Sequence, residues 1–222
     1  MWLGCCNFLF RQLTDGNVAI SYENSGSDVV SIMKLLLHVK PTLLKPATGR
    51  ILISVPYYND PFFNRSVVLL IDKDEENCVG LILNQELNCT VRQAVSGVKI
   101  DMPVFAGGPI MYHTAFALHN FESCKESEEI LPRVYTGYDN ILLAIFEHNA
   151  ISKMNFKFFI GYSGWSPGQL EDEINRKMWV VGKGNEELVL KTPTSKVWER
   201  AVQSLGKEYA HWLEVPKNIH DN

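Results

Sequence analysis

Three short runs of almost uninterrupted apolar residues constrain this chain more than anything else in it. Ile51-Leu52-Ile53-Ser54-Val55, Val67-Val68-Leu69-Leu70-Ile71 and Val79-Gly80-Leu81-Ile82-Leu83 are rich in β-branched side chains and bounded by turn formers. They are too short for helices and lack the apolar-polar alternation of a half-exposed sheet, so they read as strands covered on both faces. The first closes at Pro56, which has no N–H for a ladder. The second and third flank Asp72-Lys73-Asp74-Glu75-Glu76-Asn77, which reads as the polar turn of a hairpin. Covering such strands takes a large core. With 222 residues, 46% of them hydrophobic, the chain can hide roughly 70 to 75% of its unfolded surface without disulfide or metal staples.

Further along, Thr90 is placed to cap a short helix running to Ser96. Strands are expected at residues 103–106 and 115–119, around a Gly107-Gly108-Pro109 turn, and a weaker one at 134–136. Asp139 is a candidate N-cap for a helix over residues 139–149, and Phe156-Lys157-Phe158-Phe159-Ile160-Gly161-Tyr162 reads as a strand. Ser166-Pro167-Gly168-Gln169 has the spacing of a capping box with proline at the first helical position, predicting a helix to about Lys177. A last strand is expected at residues 179–182. Thr192-Pro193 repeats the cap-plus-proline start before a helix whose apolar face is Val197, Trp198, Ala201, Val202 and Leu205. Strands in hairpins and strands between helices together predict an α+β fold with a mixed sheet in a single domain. Residues 1–32 carry no periodicity. Met33 opens the patterned part, so residues 1–32 are expected to be a disordered or non-native extension and residues 33–222 the domain.

Charge and cysteines narrow the function classes. Lys and Arg number 21 against 25 Asp and Glu, a formal net charge of −4, so the long-range field opposes nucleic acid and anionic membrane. No apolar run approaches the roughly 18 residues of a membrane span. Cys5, Cys6, Cys78, Cys89 and Cys124 are odd in number and scattered, which fits a reducing cytoplasm rather than a disulfide framework.

Several motifs offer chemistry, and each meets an obstacle. Gly164-Trp165-Ser166-Pro167-Gly168 fits the G-x-S-x-G nucleophile elbow and lies between an expected strand and an expected helix. The residue after that serine must supply an oxyanion-hole N–H, and Pro167 has none. A serine hydrolase at Ser166 is therefore disfavoured, and a cap role preferred. The same helix start, preceded by Gly161 and Gly164, could receive a phosphate, but Glu171, Asp172 and Glu173 already complement the dipole there. Gly182-x-Gly184 lacks the third glycine of a dinucleotide fingerprint. Asp72 to Asn77 begins like a calcium loop but has Asn77 where the turn glycine belongs and Leu83 where the closing glutamate belongs. His113 and His119 nominate no zinc partners. No metal and no cofactor is expected. In Asn59-Asp60-Pro61-Phe62-Phe63-Asn64-Arg65, Arg65 could take a carboxylate or phosphate bidentately. The favoured account of that loop is structural, with Asp60 forming an Asx turn, the phenylalanines entering the core and Arg65 pairing with a buried acid.

Assembled in order, these segments resemble the YqgE/AlgH family. Gly49-Arg50-Ile51-Leu52-Ile53-Ser54, the Asn59 to Leu70 stretch and Gly80-Leu81-Ile82-Leu83-Asn84 carry the first half of the resemblance. Phe105-Ala106-Gly107-Gly108-Pro109, Leu118-His119, Gly161-Tyr162-Ser163-Gly164-Trp165-Ser166-Pro167-Gly168-Gln169-Leu170-Glu171, Trp179 and Trp198 carry the second. The resemblance implies a cytoplasmic bacterial α+β domain with a large mixed, partly barrel-like sheet flanked by helices. It supplies no catalytic residues, and a transcriptional-regulator label comes with it. The expectation is a non-enzymatic binding or regulatory protein with an unidentified protein or small-molecule partner. If it has one shared site, the candidates are Asp60, Arg65, Asn84, Gly107, Gly108, His119, Trp165 and Gln169. A buried neutral His119 and a core Trp165 are the simpler single-residue readings. Two alternatives stand beside it: a direct DNA-binding regulator, opposed by charge and by the lack of a helix-turn-helix, and the hydrolase at Ser166.

Overall fold

The computed structural model describes residues 10–12, 18–20, 39, 43–56, 58, 60, 62–95, 101–122, 127–137 and 155–215. The chain divides into two compact units, residues 1–40 and 41–222. In the first, β1 (Phe10–Gln12) pairs antiparallel with β2 (Val18–Ile20). The other residues of the expected 1–32 extension, and the expected helix over 139–149, lie outside the described residues.

The second unit is built on a ten-stranded mixed sheet. Its main path runs β12 (Trp179–Lys183), β3 (Arg50–Ser54), β4 (Val67–Lys73), β5 (Cys78–Ile82), β11 (Phe156–Trp165), β8 (Ile110–His119), β10 (Val134–Gly137), β9 (Glu128–Leu131). Two more strands, β6 (Glu86–Thr90) and β7 (Pro103–Ala106), pair with each other off that path. The three founding apolar runs become β3, β4 and β5. Residues 51–53, 67–70, 81 and 82 are fully buried, as strands covered on both faces must be. The β4–β5 turn is the expected polar one. Asp74 Oδ1 accepts the N–H groups of Glu76 (2.8 Å) and Asn77 (2.7 Å), an Asx turn that uses as structure the carboxylate a calcium loop would need.

β11 organises everything else. One side pairs antiparallel with β8. On its other side, residues 158–160 pair parallel with β7 and residues 163–165 antiparallel with β5. At this exchange of partners the β11–β8 register slips between Ile160 and Tyr162, and Gly161 takes φ +71°. The sheet also curls. A Cβ on Gly49 would lie 2.4 Å from Ile130 O, and one on Gly184 would lie 2.9 Å from Leu131 Cδ2, so the β9 end of the sheet lies against the β3/β12 end. Glu186 ties the same region together, taking ion pairs from Arg133 (2.6 Å) and Lys191 (2.8 Å) and a hydrogen bond from Asn120 Nδ2 (3.1 Å).

The helices differ from the sequence reading mainly at their starts. α1 (Val91–Ala94) is a single turn following the expected Thr90, whose N–H donates to Gln93 Oε1 (2.9 Å); Ser96 lies outside the described residues. α2 (Gln169–Asn175) is capped by Gly168, not Ser166. Gln169 Oε1 does accept the Ser166 N–H (3.0 Å), but the left-handed Gly168 delays the helix by two residues. Thr192 likewise caps nothing forward: its hydroxyl donates back to Glu187 O (2.9 Å), closing a π-helical turn, Glu187–Lys191. A 3₁₀ turn, Thr194–Lys196, then leads into α3 (Val197–Leu205), which buries Val197, Trp198, Ala201 and Val202 as expected. β6, β9 and the 3₁₀ helix Lys207–Glu214 have no counterpart in the sequence reading, and β8 begins five residues earlier than expected.

Candidate functional site

The end of β11 and the start of α2 form a unit tied around one carboxylate. Glu173 Oε2 accepts the indole N–H of Trp165 (2.9 Å) and of Trp179 (2.8 Å), while its Oε1 accepts from Gln169 Nε2 (3.0 Å). Trp165 and Trp179 cross edge to face at 6.3 Å, and Phe63 and Tyr58 pack on Trp179 at 5.3 and 5.4 Å. Both indoles belong to the core formed with Leu52, Val68, Leu70 and Leu170. A buried indole without an acceptor is costly, so Glu173 sets the orientation of two strands and a helix at once. Burial first, then the carboxylates of Glu173 and Asp60, pushes the Tyr58 hydroxyl up to about 12. Above this base, residues 166–169 form an exposed turn. Glu173→Gln exchanges an acceptor oxygen for an NH₂ facing donors, and it is expected to cost about 1 to 3 kcal/mol in urea denaturation with near-UV tryptophan dichroism reduced.

Asp60, Arg65 and Asn84 meet in a second cluster, and each has structural work. Asp60 Oδ1 accepts the N–H groups of Phe62 (2.8 Å) and Phe63 (3.1 Å), the expected Asx turn. Arg65, at φ +49°, stacks its guanidinium 4.7 Å from the centre of the Trp198 ring and donates Nη2–H to Val215 O. Asn84 bridges the loop ends, donating to Arg65 O (2.9 Å) and accepting from Val67 N (2.9 Å).

Gly107 and Gly108 occupy the partner-exchange junction of β11. Gly107 donates to Ile160 O (2.9 Å), and its carbonyl accepts from Ile82 N (3.0 Å) and Ser163 Oγ (3.2 Å). A Cβ on Gly107 would stand 2.1 Å from Gly161 O; one on Gly108 would stand 2.3 Å from Ser163 Oγ. The backbones approach too closely for any side chain.

His119 sits apart from the other candidates, at the end of β8. It is fully buried, stacks on Tyr135 at 5.8 Å, and its Nδ1 accepts the Phe121 N–H (3.2 Å). That leaves the proton on Nε2, which has no hydrogen-bond partner. Burial pushes the imidazole down from 6.5 to about 4. Between those values the unfolded chain binds a proton that the folded chain does not. Stability is therefore expected to fall as pH drops from 6.5 toward about 4, by at most about 3 kcal/mol. Urea midpoints across that range check it, and His119→Phe should flatten this part of the curve.

The eight candidates thus divide into the Glu173 unit (Trp165, Gln169), the loop cluster (Asp60, Arg65, Asn84), the glycine junction and His119. Sequence reasoning treated Glu173 only as a dipole complement. It also passed over Lys157, whose signal was a lone lysine in an aromatic strand run. Lys157 is 6% exposed, donates to Leu83 O (3.3 Å) and lies 5.0 Å from the Phe105 ring centre. Among the described residues, no three His, Cys, Asp or Glu side chains assemble as a metal set. The Cys78 thiol is pushed up to about 12, chiefly by burial, which removes it as a nucleophile.

The AlgH-like family profile (DUF179) matches residues 51–210, which takes in the loop cluster, the glycine junction and the Glu173 unit together. The chain belongs to this family. A UPF0301 protein of Bacteroides thetaiotaomicron is 35% identical over 176 residues, covering 78% of this chain and 89% of that protein. UPF0301 protein BF2109 of Bacteroides fragilis is 33% identical over 186 residues, covering 82% and 94%. Two solved structures share the fold at 20% identity. They are DIP2367 from Corynebacterium diphtheriae (TM-score 0.66, 76% of this chain and 92% of that one) and the AlgH protein of Pseudomonas aeruginosa (TM-score 0.60, 78% and 98%). The family resemblance read from the Gly161 to Glu171 motif is borne out, as is the α+β fold with a curled sheet.

Proposed function

We propose that this AlgH-like chain is a non-catalytic, cytoplasmic binding protein with a regulatory role, and that it presents the turn at residues 166–169 to a protein or small-molecule partner. The observation that carries this reading is the contrast within one motif. Trp165 is buried and fixed to the half-buried Glu173 just beyond the motif, while Ser166, Pro167, Gly168 and Gln169 are exposed. Gly168 holds φ +78° with nothing within 4 Å of where a Cβ would be, so the shape of the turn, rather than crowding, calls for glycine. A rigid exposed turn loses little conformational entropy on binding. Pro167, without an N–H, disfavours the hydrolase reading of Ser166, and the net charge of −4 disfavours direct DNA contact.

A photo-crosslinking amino acid placed at Ser166, with Glu75 on the exposed β4–β5 turn as control, tests the proposal in living cells. A discrete adduct from position 166 that is absent from position 75 is expected. The same adducts from both positions, or none from 166, would overturn it.

A further inference from the structure

The sheet ends in three strands, β12, β9 and β6, and its curl brings the first two together. The close approaches of Gly49 to Ile130 O and of Gly184 to Leu131 place β9 against the β3/β12 end. β6 is different: among the described residues no strand pairs with its outer side. Its register with β7 sets Glu86 opposite Phe105 and Thr90 opposite Pro103, so Leu87, Asn88 and Cys89 stand against Val104 alone. A concavity of about 450 Å³ runs beside residues 87–90, bounded by Gln93 and Pro103. Leu87 is 37% exposed, an unusual position for a large apolar side chain in this protein.

Backbone direction decides what this edge can pair with. Gln85 O accepts the Ala106 N–H (2.8 Å) and Val91 N–H donates to Met102 O (2.9 Å), so positions 85 and 91 spend backbone groups on the β7 side. Alternation along the strand then turns the N–H and C=O of Glu86 and Asn88 outward. Thr90 turns outward too, but its N–H is already taken by Gln93 Oε1 (2.9 Å). The open edge therefore offers the donors and acceptors of Glu86 and Asn88, placed symmetrically about Leu87. An unpaired edge of this kind is a template for another strand.

We propose that β6 pairs antiparallel with β6 of a second copy of this chain, about a two-fold axis at Leu87. In that register Glu86 faces Asn88 of the partner subunit, and each such pair exchanges both of its N–H···O bonds. The side chains agree with it. Leu87 meets Leu87 of the partner subunit, covering an exposed apolar group, and the Glu86 carboxylate faces an amide that can donate to it, so no like charges stand opposite. With the axis moved to Asn88, Glu86 would instead face Thr90 of the partner subunit, whose N–H is already engaged. One short strand pair buries far less than the roughly 1,600 Å² of a standard interface, so the dimer is weak, with a Kd on the order of 0.1 mM. The edge lies away from the exposed turn at residues 166–169, and the pairing does not rest on the role proposed for that turn.

Sedimentation equilibrium of the full chain from about 10 µM to about 1 mM tests the pairing, and a monomer–dimer equilibrium is expected. Leu87→Lys sets two ammonium groups opposite each other across the axis. It should weaken association by about tenfold or more and leave the circular dichroism unchanged, because position 87 lies on the open edge. The register has its own readout. Opposite residues of a non-hydrogen-bonded pair have Cα atoms about 4.5 Å apart, within disulfide range. Leu87→Cys should therefore give a disulfide-linked dimer on air oxidation, and Glu75→Cys, on the exposed β4–β5 turn, should not. No association at about 1 mM, a dimer that Leu87→Lys leaves intact, or equal cross-linking from positions 87 and 75 overturns the proposal.

Discussion

Lys157→Met is expected to make the protein more stable at pH 7, by about 1 to 2 kcal/mol. Burial pushes the Lys157 ammonium down from 10.5 to about 8, an effect the Glu86 carboxylate only partly offsets. At pH 7 the folded chain therefore carries a charged lysine in apolar surroundings. A shift of this size corresponds to about 3 kcal/mol of folding free energy, from which the loss of the Nζ donor to Leu83 O subtracts about 1 to 2 kcal/mol. The sign of the pH dependence follows. Below 10.5 the unfolded chain takes up a proton that the folded chain resists until about 8, so stability falls as pH drops through that window and levels off below it. Urea midpoints from pH 7 to 11 should show this slope in the parent chain and lose it in Lys157→Met. A less stable variant, or an unchanged slope, would mean that Lys157 is well matched where it lies.

Gly107→Ala is expected to have the opposite sign and a larger size, about 4 kcal/mol or more, because the added Cβ meets a backbone oxygen that cannot turn aside. The clash, 2.1 Å from Gly161 O, sits where β11 changes from β7 to β5, so relief would require separating strands that hold the sheet together. Gly168→Ala is the internal comparison. It carries only the backbone penalty of a left-handed φ of +78° in open space, about 1 to 2 kcal/mol. Equilibrium unfolding of the two alanine variants should rank them far apart. A Gly107→Ala protein as stable as Gly168→Ala would show that the junction is looser than its geometry.

These contrasts also explain how far the sequence could be read. β3, β4 and β5 were legible because strands buried on both faces write themselves as continuous apolar runs, and α3 because one apolar stripe faces the sheet. β6, Glu-Leu-Asn-Cys-Thr, was not, because it is a largely exposed edge strand paired at its two ends, with its middle residues bulged. The parallel pairing of β7 with β11 was also hidden, since partner choice rests on contacts 54 residues apart, such as Val104 with Phe158. In the site, Asp60 was legible because an Asx turn is local, whereas Glu173 was not. Its acceptors serve two tryptophans fourteen residues apart, and only the fold brings those indoles to one carboxylate. The Ser166 cap failed for a local reason: the spacing of a capping box was present, but a left-handed glycine intervened.

The central claim is that the segment at residues 161–173 works as a rigid base, locked at Glu173, beneath an exposed turn. Hydrogen exchange of the two indole N–H groups, followed by NMR, tests it most directly. The Trp165 and Trp179 indole protons should exchange among the slowest in the protein, together with the core amides of β3 and β4, and should become fast in Glu173→Gln. Fast indole exchange in the parent chain would contradict the claim, because the turn would then stand on a base that opens freely.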